Sequence, residues 1–279
     1  MNDRLQSTLR QLRLSGLAQS LDLRLHEAAS HQLSHLEFLE LILQDELLIR
    51  QQRQIERRVN AAQFKEMKAL NDFDFSFNPS IKRAQIFDLA TCRFIREHRD
   101  VLLVGPPGTG KSFLAQAIGR QAIQQDFVVY YRSIFDVVRD FLHDEVLSGD
   151  EKVLNRYLKP DLVIVDDMGL KSLPRKSGEI LFEIIMRRYE NRSTMMTSNR
   201  PIEEWGKLLG DVPSATAILD RFLHHAEVIA ITGKSYRLRK ENPQPPEPDA
   251  DSKPASLPTG SPPKKKPKSP PANLTDEAA

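Results

Sequence analysis

The stretch Gly105-Pro106-Pro107-Gly108-Thr109-Gly110-Lys111-Ser112 constrains this chain more than any other. It spells G-x-x-x-x-G-K-S, a loop built to hold phosphate. Its glycines let the backbone curl until successive N–H groups point at one anion. A helix that follows presents its positive N-terminus to the same group. Lys111 is placed to reach the β- and γ-phosphates of a nucleoside triphosphate, and the Ser112 hydroxyl to bind Mg²⁺. At average composition the bare pattern arises by chance in roughly one chain of this length in a hundred, so its flanks decide. Val101–Val104 reads as a buried strand entering the loop, and Phe113 to about Gln125 as a helix leaving it. Strand, loop, helix is the order the motif needs. ATP with Mg²⁺ is the expected ligand.

A second element lies downstream. Leu162-Val163-Ile164-Val165-Asp166-Asp167 is an apolar strand ending in two carboxylates. In P-loop enzymes an acid at such a strand end holds Mg²⁺, a role that falls to Asp166. Asp167 is then the candidate base for the attacking water. The alternative is an ordinary strand that ends in acidic turn residues.

Composition divides the chain into three parts. Residues 1–75 read as a small all-helical domain for assembly and for DNA or partner binding. Leu5, Leu9 and Leu12, then Leu17, Leu21 and Leu25, recur at helical spacing, with a break expected near Ser15-Gly16. Ser34-His35-Leu36-Glu37 fits a capping box and opens a long helix, with apolar positions at Phe38, Leu41, Ile42, Leu48 and Ile55. Arg50, Arg53, Arg57 and Arg58 gather toward its end, and the first three share a face. That face is either a solvated surface with favourable C-terminal charge or a stripe that contacts phosphates of nucleic acid. Lys82 and Arg83 add a second basic pair.

Residues 76–240 alternate five strand candidates with helices: 101–104, 127–131, 162–166, 194–197 and 228–231. Such alternation predicts a parallel sheet covered by helices on both faces, with ligands at the carboxyl ends of the strands. Both motifs lie at such ends. Trp205 and the Tyr130-Tyr131 pair are read as packing residues. Residues 241–279 hold eleven prolines and the cluster Lys264-Lys265-Lys266-Pro267-Lys268. A tail of that kind buries too little apolar area to offset chain entropy and is expected to be disordered.

The 279 residues carry a net charge of +2 and one cysteine, Cys92, so neither a disulfide framework nor a cysteine metal site is expected. No apolar run has the length of a membrane span, and the N-terminus lacks a signal-peptide core. A cytoplasmic protein without a membrane partner is the expectation.

Further residues carry a family resemblance. Asn199, in Ser198-Asn199-Arg200-Pro201, ends a strand and resembles the sensor 1 position of AAA+ ATPases, where an Asn contacts the γ-phosphate or the attacking water. A plain helix cap before Pro201 is the other reading. Arg221, in Leu219-Asp220-Arg221-Phe222, stands where AAA+ assemblies place an arginine finger that enters the neighbour's nucleotide site. An exposed Asp-Arg charge pair is the plainer account. Together with Gly105–Ser112, Asp166-Asp167 and Met196–Arg200, these residues resemble the AAA+ clade around DnaC, and within it the IstB-like ATPases of insertion sequences. Leu12–Gly16, Glu37–Leu39, Glu46, Arg50, Arg57-Arg58 and Ala69–Phe75 extend the likeness over residues 4 to 240.

That resemblance implies an α/β fold: a P-loop AAA+ core with a five-stranded parallel sheet behind a helical N-terminal domain. It implies an ATPase that assembles on duplex DNA as an ATP-dependent oligomer and assists a cognate transposase in transposition. It also implies that Phe73–Phe77 lies near the adenine, although core packing is the commoner use of such a run. The alternative is a loader of a replicative helicase that uses ATP as a switch. After the last strand only Gly233–Lys240 precedes the tail, which leaves no room for the usual helical lid, and Arg237 is a partial substitute for a lid arginine.

Overall fold

Helix α1 (Asp3–Gln11) stops where Arg13 turns left-handed at φ 56°, and α2 (Ser15–His31) starts two residues later. The break therefore falls just before Ser15-Gly16. Ser34 then caps α3 (His35–Ala62): its hydroxyl accepts from the Glu37 N–H at 3.3 Å, and the Glu37 carboxylate accepts from the Ser34 N–H at 2.8 Å. This reciprocal pair satisfies two of the helix's orphan donors. In the computed structural model of this protein, residues 3–144, 150–170, 173–174, 177–209 and 212–237 are described. The tail, its lysine cluster and the absence of a lid, as expected from the sequence, lie outside the described residues.

The apolar pattern of α3 is only partly used. Ile42 is buried, but Leu48 is 63% exposed, and the most buried polar position of the helix is Glu46. The Glu46 carboxylate accepts the N–H groups of Gly16 (2.7 Å) and Leu17 (2.9 Å). Helix α2 has no side-chain cap of its own, so Glu46 supplies the acceptor and the negative charge that its first turn lacks. Gly16 is required there, because a Cβ would stand 2.9 Å from the Glu46 oxygen and 3.0 Å from its backbone.

The rest of the chain winds a sheet. In order come α4 (Arg83–Ala90), α5 (Arg93–Arg96), β1 (Asp100–Val104), α6 (Lys111–Gln124), β2 (Val129–Ser133) and α7 (Ile134–Asp144). Then follow α8 (Asp150–Leu158), β3 (Leu162–Met168), α9 (Ser177–Arg188), β4 (Ser193–Ser198), α10 (Trp205–Leu209), α11 (Val212–His224) and β5 (Ala226–Ala230). The five strands are all parallel, in the order β2-β3-β4-β1-β5. This is the sheet that the alternation predicts, with β2 displaced two residues toward the C-terminus. Side chains alternate between two cores, as strand geometry demands. Val101, Leu103, Tyr131, Ile164 and Met195 face α3, α4 and α6, while Leu102, Tyr130, Val163, Val165 and Met196 face α7 to α11. These side chains are buried on both faces, which is why the strands read as continuous apolar runs.

Helix α3 joins this body through Ile55 and Val59, and Phe64 just beyond it packs on Tyr131 at 5.9 Å between ring centroids. At the amino ends of the strands, the buried Arg188 guanidinium donates to the carbonyls of Tyr157 (2.7 Å) and Pro160 (3.0 Å) and to Ser193. One side chain thus ties the end of α8 to the start of β4. Among the described residues no helix is long and apolar enough to cross a membrane.

Candidate functional site

Parallel strands deliver their carboxyl ends to one edge, and β4 lies between β3 and β1. The loop after β1, the acids of β3 and the Asn after β4 therefore meet. The loop, Asp167 and Asn199 line one cavity of about 630 Å³, together with Phe73, Phe77, Asn78, Tyr236 and Arg237, while Asp166 lies buried behind it.

The loop is shaped by close approach. Gly108 and Gly110 have φ of 78° and 97°, values that favour glycine. A Cβ on Gly110 would stand 2.6 Å from the Phe73 ring, and one on Gly108 would collide with Ser235 Oγ. A Cβ on Gly105 would collide with the Ile231 carbonyl. The Ile231 N–H donates to Val104 O at 2.7 Å, and the Tyr236 N–H to Gly108 O at 2.9 Å. Residues 231–237 therefore brace the loop from outside. Helix α6 starts at Lys111, two residues before the sequence estimate, so the loop ends at a helix N-terminus as the motif requires.

Lys111 is 4% exposed, and its ammonium donates to the carbonyls of Gly105 (2.8 Å) and Pro106 (2.6 Å). Burial lowers its pKa to about 8; the Asp166 and Asp167 charges oppose that shift, and Arg237 adds to it. The Ser112 hydroxyl donates to Asp166 Oδ1 at 2.8 Å. Asp166 is fully buried and also accepts from Thr197 Oγ1, from Tyr131 OH and from the Asp167 N–H at 2.9 Å. Four donors fix both carboxylate oxygens beside Ser112, so these two residues form the candidate Mg²⁺ position. Asp167 is left-handed at φ 66°, a strained conformation for a residue with a Cβ. It sits where the β3–β4 register shifts between Val165 and Met168, and it lines the cavity.

Sequence reasoning missed three partners of these acids, Thr197, Tyr131 and Lys65. Tyr131 is buried as a packing residue would be, yet its hydroxyl serves Asp166. Burial, then the Asp166 charge and hydrogen bond, hold that phenol protonated well above its ordinary range. Lys65, just beyond α3, places its ammonium 2.6 Å from Asp167 Oδ2. Burial alone would lower the Lys65 pKa, but the Asp167 hydrogen bond and charge outweigh it and raise the pKa. A lysine in a polar loop carries no sequence signal for such a contact.

The other candidates separate. Asn199 lines the cavity, and its N–H donates to Met168 O at 2.8 Å. It does not cap a helix: the short turn Ile202–Glu204 begins at Pro201 without a side-chain cap. Trp205 is fully buried, as expected of packing, and donates to Ser198 Oγ at 3.3 Å. Arg221 stands apart from the cavity, on α11, half exposed, 3.2 Å from Asp220 and 5.8 Å from the Tyr189 ring centroid. Arg50, Arg53 and Arg57 do share a face and line one depression on α3. Two of them are tied down: Arg50 to Glu46 at 2.6 Å and Arg13 O at 3.2 Å, and Arg53 to Ser15 Oγ. Arg58 turns elsewhere, to Asp126 at 2.7 Å. Lys82 and Arg83 are exposed, with Arg83 over the Phe75 and Phe87 rings at 5.9 and 5.2 Å. Phe73 and Phe77 line the cavity, whereas Phe75 packs between Phe73 and Phe87.

A family model described as IstB-like ATP binding protein matches residues 7–243. The chain belongs to that family. A protein of insertion sequence IS5376 from Geobacillus stearothermophilus, described as ATP-binding, is 35% identical over 241 residues, 86% of this chain and 96% of the relative. The corresponding protein of IS21 from Pseudomonas aeruginosa is 34% identical, covering 85% of this chain and 89% of its own. Among solved structures the chain resembles DnaI, with TM-score 0.51, 22% identity and coverage of 59% of this chain and 91% of that one. It also resembles DnaA from Aquifex aeolicus bound to AMPPCP, with TM-score 0.50, 21% identity and coverage of 64% and 55%. These two likenesses establish the fold, an AAA+ α/β core with a parallel five-stranded sheet behind N-terminal helices. The IstB-like family is one of ATP binding, and the cavity fits that ligand: a loop of positive-φ glycines, packed too closely for a Cβ, ends at a helix N-terminus beside a buried lysine.

Proposed function

We propose that this protein is an ATPase that assembles on duplex DNA and assists the transposase of its insertion sequence. The observation that supports this most strongly is the joint one. Over most of its length the chain matches insertion-sequence proteins described as ATP-binding, and Ser112, Asp167 and Asn199 converge on one P-loop cavity, with Asp166 bonded to Ser112.

In this reading the N–H groups of Gly105–Ser112 and the Lys111 ammonium hold the β- and γ-phosphates. Ser112 and Asp166 hold Mg²⁺, which when bound neutralises charge on the phosphate oxygens. Asp167 accepts the proton of the attacking water, and Asn199 orients that water. To do so Asp167 must leave Lys65, which now holds it at 2.6 Å. Arg221 serves a neighbouring subunit's site, in keeping with its distance from the cavity of its own chain. Residues 1–75 act as the assembly and DNA-binding domain, residues 76–240 as the motor and residues 241–279 as a tail.

Duplex DNA contacts fall to Arg50, Arg53, Arg57 and Arg58, with Lys82 and Arg83. Arg53 and Arg57 are exposed and are the first to change. A salt series of duplex binding, with and without ATP, tests the reading on wild type, Arg53→Ala/Arg57→Ala and a chain ending at residue 240. ATP should promote cooperative binding that weakens steeply with salt, as counterion release requires, and the double variant should lose more affinity than the shortened chain. Binding indifferent to ATP and salt, or lost only with the tail, would refute it. Stimulation of a purified cognate transposase, against loading of a replicative helicase, decides the partner.

A further inference from the structure

The cavity contains one feature that phosphate binding does not use. Asn78 is 4% exposed and lines the cavity. Its Oδ1 accepts from the Ser80 N–H at 3.3 Å and lies 2.8 Å from Ser80 Oγ. Ser80 is itself fixed to Thr232, whose carbonyl lies 2.7 Å from Ser80 Oγ and whose N–H lies 3.1 Å from it. The Ser80 backbone N–H can only donate, so the amide atom that faces it is the oxygen, and the nitrogen end is the other one. Nδ2 is the one buried side-chain polar atom without a partner among the described residues. The Gly233 backbone walls the amide in: a Cβ on Gly233 would stand 2.8 Å from Oδ1 and 3.2 Å from Nδ2. An amide held this way has no freedom to swing toward another acceptor. Around it are aromatic faces and edges, with Phe77 and Tyr236 edge to face at 5.0 Å and Phe73 along the same wall. These suit a flat heteroaromatic ring.

We infer that Asn78 reads the nucleotide base: its Nδ2 donates to an acceptor nitrogen of the purine ring. The amide NH₂ is a donor only, and its partner must be an acceptor. Adenine presents bare ring nitrogens at N1, N3 and N7; guanine keeps N3 and N7 but carries a hydrogen at N1, so a donor that meets N1 also selects adenine, which 1-deaza-ATP reports. A site whose fixed polar group needs a partner rejects ligands that leave it unpaired more strongly than an apolar pocket does. The base is thus read from the segment before β1 and the segment after β5, which Ser80 and Thr232 join. The inference deepens the reading of the P-loop as a nucleotide site and rests on it.

The test is displacement of a fluorescent ATP analogue, with Mg²⁺, from the full chain. Asn78→Asp keeps the oxygen that Ser80 uses and replaces the donor with a second oxygen and a negative charge, whose effect on the phosphates the triphosphate competition reads separately. The variant should weaken ATP binding about tenfold or more, while inorganic triphosphate, which has no base, competes as it does with wild type. On wild type, one of 1-deaza-, 3-deaza- or 7-deaza-ATP should bind weaker than ATP by a similar factor, and in Asn78→Asp that difference should vanish. Equal loss of ATP and triphosphate in the variant would mark a structural role and overturn the inference. So would unchanged ATP affinity. If the variant does not fold, the wild-type deaza series decides alone, and three analogues that bind like ATP overturn the inference. Lys111→Ala is the control: if it binds ATP like wild type, the P-loop reading itself fails, whereas loss there with Asn78→Asp unaffected removes only the role of Asn78.

Discussion

Burial leaves Lys111 half-charged near pH 8, against an ordinary value of 10.5, and ATP affinity should report it. If only the ammonium form holds the phosphates, affinity follows its fraction. That fraction falls from about three quarters at pH 7.5 to about 3 per cent at pH 9.5, so binding should weaken about 25-fold, roughly 1.9 kcal/mol. Near pH 8 binding should take up about half a proton, because the bound phosphates draw the lysine back to its charged form. Calorimetric titration in two buffers of different ionisation enthalpy measures both quantities. Stability has the opposite sign. Between pH 8 and 10.5 the unfolded chain holds the lysine proton and the folded chain has released it, so the free protein gains stability as pH rises. Lys111→Arg binds without titrating, since a guanidinium stays charged, and its affinity should be flat with pH. A wild-type affinity that is flat from pH 7.5 to 9.5, with no proton uptake, would show that the buried ammonium keeps its ordinary pKa and would refute the reasoning.

Other outcomes follow from the same geometry. Asp167→Asn should bind ATP as wild type does and hydrolyse it at least about 100-fold more slowly, because an amide takes no proton from water; wild-type turnover would make Asp167 a turn residue. Lys65→Met frees the Asp167 carboxylate and should raise turnover without DNA several-fold at unchanged KM; a fall in turnover would make Lys65 a supporter of catalysis rather than a restraint. Arg221→Ala and Lys111→Ala, each inactive alone, should recover activity when mixed, because some interfaces then pair an intact loop with an intact arginine. Absence of rescue between folded, co-assembling variants argues against a finger. Glu46→Ala should cost about 2 kcal/mol by unfastening the start of α2, which lowers the melting temperature by roughly 4–8 °C. The Glu46 backbone bonds and the Arg50 pair outweigh burial and hold its pKa below the ordinary 4.5. Its contribution is therefore present above that pH and lost as pH falls through the lowered value. A melting temperature within a degree of wild type would refute that role.

The sheet was legible because each strand is a run of apolar residues, and buried parallel strands leave no other pattern. The loop and the acids were legible because their spacing is set by one ligand. The partners of the acids were not. Tyr131 meets Asp166 only through strand register, Ser133 lying opposite Asp166, and Lys65 meets Asp167 across 102 residues of sequence. Glu46 gave no sequence signal of its role, because a charged residue on a helix ordinarily faces water, while here it faces the end of another helix. Asn78 sits in an unpatterned turn, and only the three-dimensional account of its two amide atoms sets it apart.

The strand order also has a consequence for synthesis on the ribosome. The phosphate loop follows β1, yet both neighbours of β1, β4 and β5, come later in the chain. About 90 residues separate β1 from β4, and about 120 separate it from β5. At about 5–20 residues per second, the strand that carries the loop waits roughly 5–18 s with both edges open, and one edge stays open for a few seconds more. Residues 231–237, which brace the loop, arrive later still. A nascent chain therefore has no nucleotide site until nearly all of its folded part has emerged, and a ribosome stalled before β4 displays an apolar, unpaired strand for as long as it stalls.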